Sequence, residues 1–222
     1  MKSTMWLLLV LVALGLASTI WGIFVTTPME QSLFYSQKIF YYHVANAFML
    51  FLAVMVAGGG SIAFLATRSP RADRVALAAA ELAVLFGAVV LLTGSIWAKA
   101  AWSTWWKWEP RLTMSLLLWL VVLGAVMVRA FAGAGAERLA AGVLVFAVAA
   151  VPLIYFGVRE GDNHPQAKVV QTLDPSMKAT FWLSVLTFLL LLGVALWQRV
   201  SMLAAQARLV AVAEELEDRG IT

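Results

Sequence analysis

The sequence predicts an all-α membrane protein with six transmembrane helices. Of its 222 residues, 63% are hydrophobic and only 13% are charged, whereas soluble domains contain about 25% charged residues. Apolar runs recur along the chain at about the 20-residue length that a helix needs to cross a hydrocarbon layer. The net charge of +4 does not indicate nucleic-acid binding, because the basic residues mostly stand at the ends of the apolar runs.

Six apolar segments make up the predicted membrane domain, residues 1–199. The first follows Lys2 and resembles a signal peptide at its start, but its apolar length suits a full span. The predicted spans are 5–25, 43–66, 75–97, 112–131, 138–158 and 179–199. Residues 200–222 are predicted to form a short amphipathic cytoplasmic tail with an acidic, solvated end.

Three connections are longer than the others: 26–42, 98–111 and 159–178. Each follows an odd-numbered span, so all three must lie on one side of the membrane. The short loops on the other side carry Arg68, Arg71, Arg74, Arg129 and Arg138. Because short cytoplasmic loops are enriched in basic residues, we expect both termini in the cytoplasm and the longer connections outside.

The second long connection contains four tryptophans within seven residues, namely Trp102, Trp105, Trp106 and Trp108. If the chain were helical from Trp97 to Trp108, these indoles would occupy about half of the helix circumference, with Lys107 opposite. Such a face could bind a flat ligand. The alternative is a membrane-interface belt, although belts usually scatter single aromatics over several helix ends. Pro110 is predicted at the first position of the fourth helix, with the charge of Glu109 at its N-terminus.

The chain has only two histidines, His43 and His164, and both fall on the side of the tryptophan segment. Neutral imidazole is a common axial ligand of haem iron, so this combination favours a haem site. Zinc is the rival metal, but it usually takes three or four ligands, and Glu109, Glu160 or Asp162 would have to join. Since the chain has no cysteine, iron–sulfur clusters, disulfides and thioether attachment of haem to this chain are excluded.

Three segments resemble the tryptophan-rich signature of the heme exporter protein C family of cytochrome c maturation: residues 93–99, 102–108 and 111–113. The surroundings of His43 and His164, and the segment Leu173–Met177, are also similar to the family, so the resemblance covers nearly the whole chain. The family usually has Asp-Ala after the last tryptophan, where this chain has Glu109-Pro110. Because glutamate caps helices less well than aspartate, an electrostatic role is expected for Glu109 rather than a capping role.

The resemblance implies a haem-binding protein of the bacterial cytoplasmic (inner) membrane that is not an enzyme. Such a protein would hold haem b non-covalently and transiently at the outer face and pass it to a periplasmic haem chaperone. The implied partners are an ATP-binding transport complex and a small single-span membrane protein. This chain itself lacks the phosphate-binding Gly-rich lysine motif of ATPases.

The predicted metal ligands are His43 and His164. The other predicted haem-binding residues are Trp97, Trp102, Trp105, Trp106, Trp108, Glu109, Arg111 and Lys99. Tyr41 and Lys168 are further candidates for contacts with the porphyrin edge or its propionates.

The sequence leaves two other functional classes open. A cytochrome b-like electron-transfer subunit would usually carry its histidine ligands inside the spans, whereas His164 lies in a polar loop beside Pro165. A small-molecule channel or transporter would favour ionisable residues in mid-membrane. Glu81 is the candidate for such a residue, and we expect it to face the bundle or the membrane interface.

Overall fold

The computed structural model describes residues 2–31, 33–133, 135–156, 164 and 169–220, except the side chains of Lys2 and Val169. The α-helices are α1 Lys2–Trp21, α2 Phe40–Thr67, α3 Pro70–Trp102, α4 Pro110–Phe131, α5 Ala136–Val148, α6 Ala150–Phe156, α7 Val169–Thr172 and α8 Pro175–Asp218. A π-helical turn, Gly22–Thr26, extends α1, and a 3-10 turn, Tyr35–Ile39, leads into α2. Among the described residues there is no β-strand, so the all-α prediction is confirmed.

The protein is a multi-pass membrane protein. Within the part of the chain that the structure describes, six helical segments are long and apolar enough to cross a membrane: Ser3–Thr26, Tyr35–Thr67, Pro70–Trp102, Pro110–Phe131, Ala136–Phe156 and Pro175–Asp218. They match the six predicted spans in order, and α5 and α6 together form the fifth. The last two residues of the predicted fifth span, 157–158, lie outside the described residues.

Small side chains hold the centre of the bundle together, where α2 contacts α3, α5 and α8. Ala53 and Ala57 of α2 and Ala79 and Ala83 of α3 are all buried. A Cβ added to Gly60 would lie 3.0 Å from the backbone nitrogen of Ala76. Lipid is as apolar as leucine, so close backbone packing between small residues is a main source of helix association in a membrane.

Ion pairs connect the helices at the end of the bundle that carries the short arginine-rich loops. Arg129 of α4 pairs with Asp73 of α3 and lies 3.8 Å from Glu137 of α5. Arg199 donates two hydrogen bonds to the carboxylate of Glu81, at 2.6 and 2.7 Å. Glu81 is therefore a partly exposed member of a salt bridge, which does not favour a channel that uses this carboxylate.

The last helix is longer than a membrane crossing requires. The side chain of Asp174 caps its N-terminus, accepting hydrogen bonds from the backbone N–H and the hydroxyl of Ser176, and these bonds lower the pKa of Asp174. α8 then runs for 44 residues, or about 66 Å at 1.5 Å per residue, against a hydrocarbon layer of about 30 Å. Residues 200–218 thus continue α8 instead of starting a new helix, and the functional boundary at residue 199 stays a prediction.

The tryptophan segment is not one helix. The prediction that the indoles from Trp97 to Trp108 share one helical face is therefore wrong. α3 ends at Trp102, because Ser103 adopts a left-handed conformation with φ of 58°. Residues 103–109 form an irregular connection, in which the hydroxyl of Thr104 donates to the carbonyl of Trp106 at 3.0 Å. Pro110 is the first residue of α4, as predicted.

Candidate functional site

A pocket opens at the end of the bundle opposite the arginine-rich loops. Its walls come from α2, α3, α4 and α6, with further contributions from Trp106, His164 and Val170. The empty space measures about 1170 Å³, including the part that is open to solvent. Both histidines of the chain line this pocket, although 120 positions separate them in the sequence.

His43 forms part of the wall made by the helices. It lies in the first turns of α2 and is 8% exposed. Its Nδ1 lies 3.0 Å from the hydroxyl oxygen of Thr93 on α3, and its ring meets the indole of Trp97 edge to face at 5.7 Å. A Cβ added to Gly94 would lie 3.0 Å from Cε1 of His43, so the absence of a side chain there lets the imidazole pack against α3.

His164 forms part of a second wall of the pocket, where it contacts residues at the start of α4. Its backbone N–H donates to the carboxylate of Glu109 at 3.3 Å, and its Nδ1 lies 3.3 Å from Nη1 of Arg111. The same guanidinium donates to two carbonyls at the end of α6, those of Ile154 at 3.1 Å and Tyr155 at 2.5 Å. Arg111 therefore holds the start of α4, the end of α6 and His164 together.

The five tryptophans of the predicted platform divide into two groups. Trp97, Trp102 and Trp106 line the pocket. Trp105 and Trp108 do not line it and are 59% and 76% exposed, although Trp108 still contacts Trp106 edge to face at 6.0 Å. Because α3 ends at Trp102, the later indoles do not continue a helical face from Trp97 and Trp102.

Lys107 does not lie opposite the indoles, as the helical arrangement predicted. Its Nζ lies 6.0 Å from the centre of the Trp102 ring, in a cation–π contact.

Lys99, Tyr41 and Glu109, which were also predicted for the site, do not line the pocket. Lys99 is exposed and donates to the carbonyl of Ser103 at 3.2 Å, and it does not line the pocket. Tyr41 is fully buried in the core instead. Glu109 is the N-cap residue of α4 but makes no side-chain cap bond, which agrees with the expectation against capping. Lys168, Glu160 and Asp162 lie outside the described residues.

Sequence reasoning gave no role to several residues that build the site. Thr93 and Gly94 belong to the segment 93–99 that resembles the family signature, but their contact with His43 depends on the packing of α2 against α3. Phe40, Ala47 and Phe51 line the pocket together with His43. Their spacing places them on the same face of a helix as His43, so the sequence pattern could have predicted that they lie beside this histidine.

The pocket suits a flat, largely apolar ligand that has a metal at its centre and an anionic edge. Two imidazoles face one cavity, and an arginine stands in its wall. The indole nitrogens of Trp97 and Trp106 are buried without a hydrogen-bond partner, although a buried indole N–H usually finds an acceptor. No group of three or more His, Cys, Asp or Glu side chains suited to a metal ion occurs within the part of the chain that the structure describes, so those residues offer no zinc-type ligand set.

Fold and site together define a class: a six-span helical membrane protein with an aromatic pocket that contains two histidines at one end of the bundle. A family model described as heme exporter protein C matches residues 1–219, so this chain belongs to the heme exporter protein C family.

Proteins named heme exporter protein C from three organisms are similar to it. That of Escherichia coli K12 is 31% identical over 193 residues, covering 84% of this chain and 77% of the relative. That of Bradyrhizobium diazoefficiens is 37% identical over 155 residues, covering 67% and 58%. That of Haemophilus influenzae is 30% identical over 178 residues, covering 79% and 72%.

Proposed function

We propose that this protein binds haem in the pocket between His43 and His164 and delivers it for cytochrome c maturation. The observation that carries the proposal is that the only two histidines of the chain line one aromatic pocket. Membership of the heme exporter protein C family supports haem as the ligand. Haem is the cargo here, and the protein acts as a carrier and not as an enzyme.

Each part of the pocket has a task in this proposal. The imidazoles of His43 and His164 ligate the iron from separate elements, since neutral imidazole is a common axial ligand. The rings of Trp97, Trp102 and Trp106 pack against the porphyrin, and Arg111 supplies positive charge for its propionates. Without cysteine the chain cannot form thioether bonds to haem, which suits a cargo that must leave again.

We further propose that the pocket faces the outside of the bacterial cytoplasmic membrane and that haem passes from it to a periplasmic chaperone. The arginines of the short loops lie at the opposite end of the bundle, which supports a cytoplasmic location for that end. Delivery would involve an ATP-binding transport complex and a small single-span partner, because the chain has no nucleotide-binding motif of its own.

Haem titration of the purified protein tests the function. We expect one saturable haem per chain, with a spectrum typical of two axial imidazoles, and transfer of that haem when the chaperone is added. Retained haem that is rapidly reduced and reoxidised by a quinone would favour the electron-transfer alternative. Absence of saturable binding would overturn the proposal.

Cysteine labelling tests the orientation, because the chain has no cysteine of its own. Single cysteines at Ser36, Ser103 and Asn163 should react with an impermeant thiol reagent added to intact cells, whereas a cysteine at Ser69 should not. Permeabilised cells provide the control, since all four positions should then react. Labelling at Ser69 in intact cells would invert the proposed orientation.

A further inference from the structure

We propose that Thr93 is a positioning residue for His43: its hydroxyl accepts the Nδ1–H of the imidazole and thereby presents the lone pair of Nε2 to the pocket. The contacts of His43 within the protein support this orientation without reference to any ligand. Only the identity of the group that Nε2 would bind, the haem iron, rests on the proposed function.

The position of the Thr93 hydroxyl proton follows from two distances. Its Oγ1 lies 2.6 Å from the carbonyl oxygen of Val89, one helical turn earlier. Two oxygens approach this closely only when a hydrogen lies between them, and a carbonyl has none to offer. The single proton of the hydroxyl is therefore donated to Val89.

The contact with His43 then has only one possible direction. Oγ1 of Thr93 lies 3.0 Å from Nδ1 of His43. Because the hydroxyl proton is already used, Oγ1 must accept this hydrogen bond and Nδ1 must carry the proton. In the neutral ring that leaves Nε2 unprotonated, with the lone pair that a metal ligand needs.

Two neighbours restrict the orientation of the ring. The Cβ position of Gly94 is 3.0 Å from Cε1 and 3.9 Å from Nε2 of His43, so the imidazole lies directly against the backbone of α3. Trp97, one turn further along α3, contacts the ring edge to face. Within the described part of the chain Nε2 makes no hydrogen bond, and His43 lines the pocket.

These three contacts prepare the ligand before haem arrives. A histidine that binds a metal usually donates its other ring N–H to a nearby acceptor, and losing that acceptor typically lowers metal affinity about 10–100-fold. Thr93 supplies such an acceptor on α3 for an imidazole on α2. The packing of α2 against α3 therefore determines which nitrogen of His43 is available.

The first test measures the tautomer of His43 in the haem-free protein. In a His164→Ala background His43 is the only histidine, so ¹⁵N NMR of histidine-labelled protein reports one imidazole. We expect Nδ1 to be protonated and Nε2 unprotonated when Thr93 is present, and when Thr93→Ser keeps the hydroxyl. Thr93→Val retains the shape but removes the acceptor, and should yield a mixture of tautomers. A protonated Nε2 with Thr93 present would overturn the proposal.

The second test measures haem binding and its coupling to His43. Thr93→Val should weaken haem binding about 10–100-fold and shift the reduction potential of the bound haem, whereas Thr93→Ser should retain near wild-type values. In a His43→Ala background Thr93→Val should cause no further loss, because Thr93 acts only through His43. An equal loss in that background would indicate a purely structural role and overturn the proposal.

The outcomes separate this inference from the proposed function. If the wild-type protein binds no haem, the proposed function fails, while the NMR experiment still decides the orientation of His43. Size-exclusion elution and helical circular dichroism check that each variant is folded. If Thr93→Val does not fold, the tautomer measured in the Thr93→Ser protein decides instead, since loss of the single Nδ1–H form there contradicts the proposal.

Discussion

The two histidines occupy walls of different construction. On the helix wall, His43 is packed between α2 and α3 against Thr93, Gly94 and Trp97. On the loop wall, His164 is held by contacts with Glu109 and Arg111 at the start of α4. One imidazole is fixed by helix packing, and the other by polar contacts between separate segments.

The Nδ1 atoms of the two histidines also have opposite roles in hydrogen bonding. Arginine has donors and no acceptor, so Nδ1 of His164 accepts from Arg111 and its lone pair is occupied. Nδ1 of His43 carries the proton, which leaves Nε2 free. A bound haem would therefore find Nε2 of His43 already available on the helix wall. On the loop wall, His164 would first have to give up its hydrogen bond with Arg111. Such an arrangement suits a cargo that must be held and then released.

Replacing the histidines should give the largest effects and the sharpest comparison of the two walls. We expect His43→Ala to weaken haem binding by more than about 100-fold, beyond the usual cost of losing a ligand's supporting contact. His164→Ala should cost less, because binding through this residue must first displace Arg111. Haem titration and the visible spectrum measure both effects.

Added imidazole provides the control for the histidine variants. A free imidazole can occupy an opened coordination position, so it should restore the two-imidazole spectrum in either variant if ligation was lost. Unchanged spectra in both alanine variants would contradict the assignment of the two ligands.

The tryptophans provide an intermediate effect and a matched pair within one connection. Trp106→Phe keeps an aromatic ring but removes a buried indole N–H from the pocket. It should weaken haem binding by about 2–10-fold, in line with roughly 0.5–1.5 kcal/mol for one hydrogen bond from this N–H to the ligand. Trp108→Phe, 6.0 Å away but outside the pocket, should leave binding unchanged. Equal losses in both variants, measured by haem titration, would mean that the segment acts as a membrane anchor rather than as part of the pocket.

Glu109→Gln should give the smallest effect. The amide oxygen of glutamine can still accept the backbone N–H of His164, so the loop wall keeps this contact. Only the charge at the N-terminus of α4 is lost, which is worth about 0.3–1 kcal/mol. We expect haem affinity to fall less than about fivefold, whereas Glu109→Ala, which removes both charge and acceptor, should lower it further. If the glutamine and alanine variants bind haem equally well, the contact with His164 has no importance.

The sequence alone could reveal the histidines but not their supports. His43 and His164 could be singled out as candidate site residues because the chain has no other histidine and both were predicted on one side of the membrane. Thr93, Gly94 and the carbonyls of Ile154 and Tyr155 were not identifiable as supports, because their contacts join separate helices. The helical face expected for the tryptophans failed for a local reason, since a left-handed residue at Ser103 ended α3 within the segment.

Composition determined the class of this protein, because long apolar runs cannot remain in water and a hydrocarbon layer admits helices that satisfy their own backbone hydrogen bonds. The motif and the two histidines predicted the kind of ligand, and the basic residues of the short loops predicted the side of the membrane. Tertiary structure decided that His43 contacts Thr93, which tryptophans line the pocket, and that Arg111 contacts both α6 and His164. Side-chain direction and hydrogen-bond geometry depend on how helices pack against one another, and linear spacing does not contain that information.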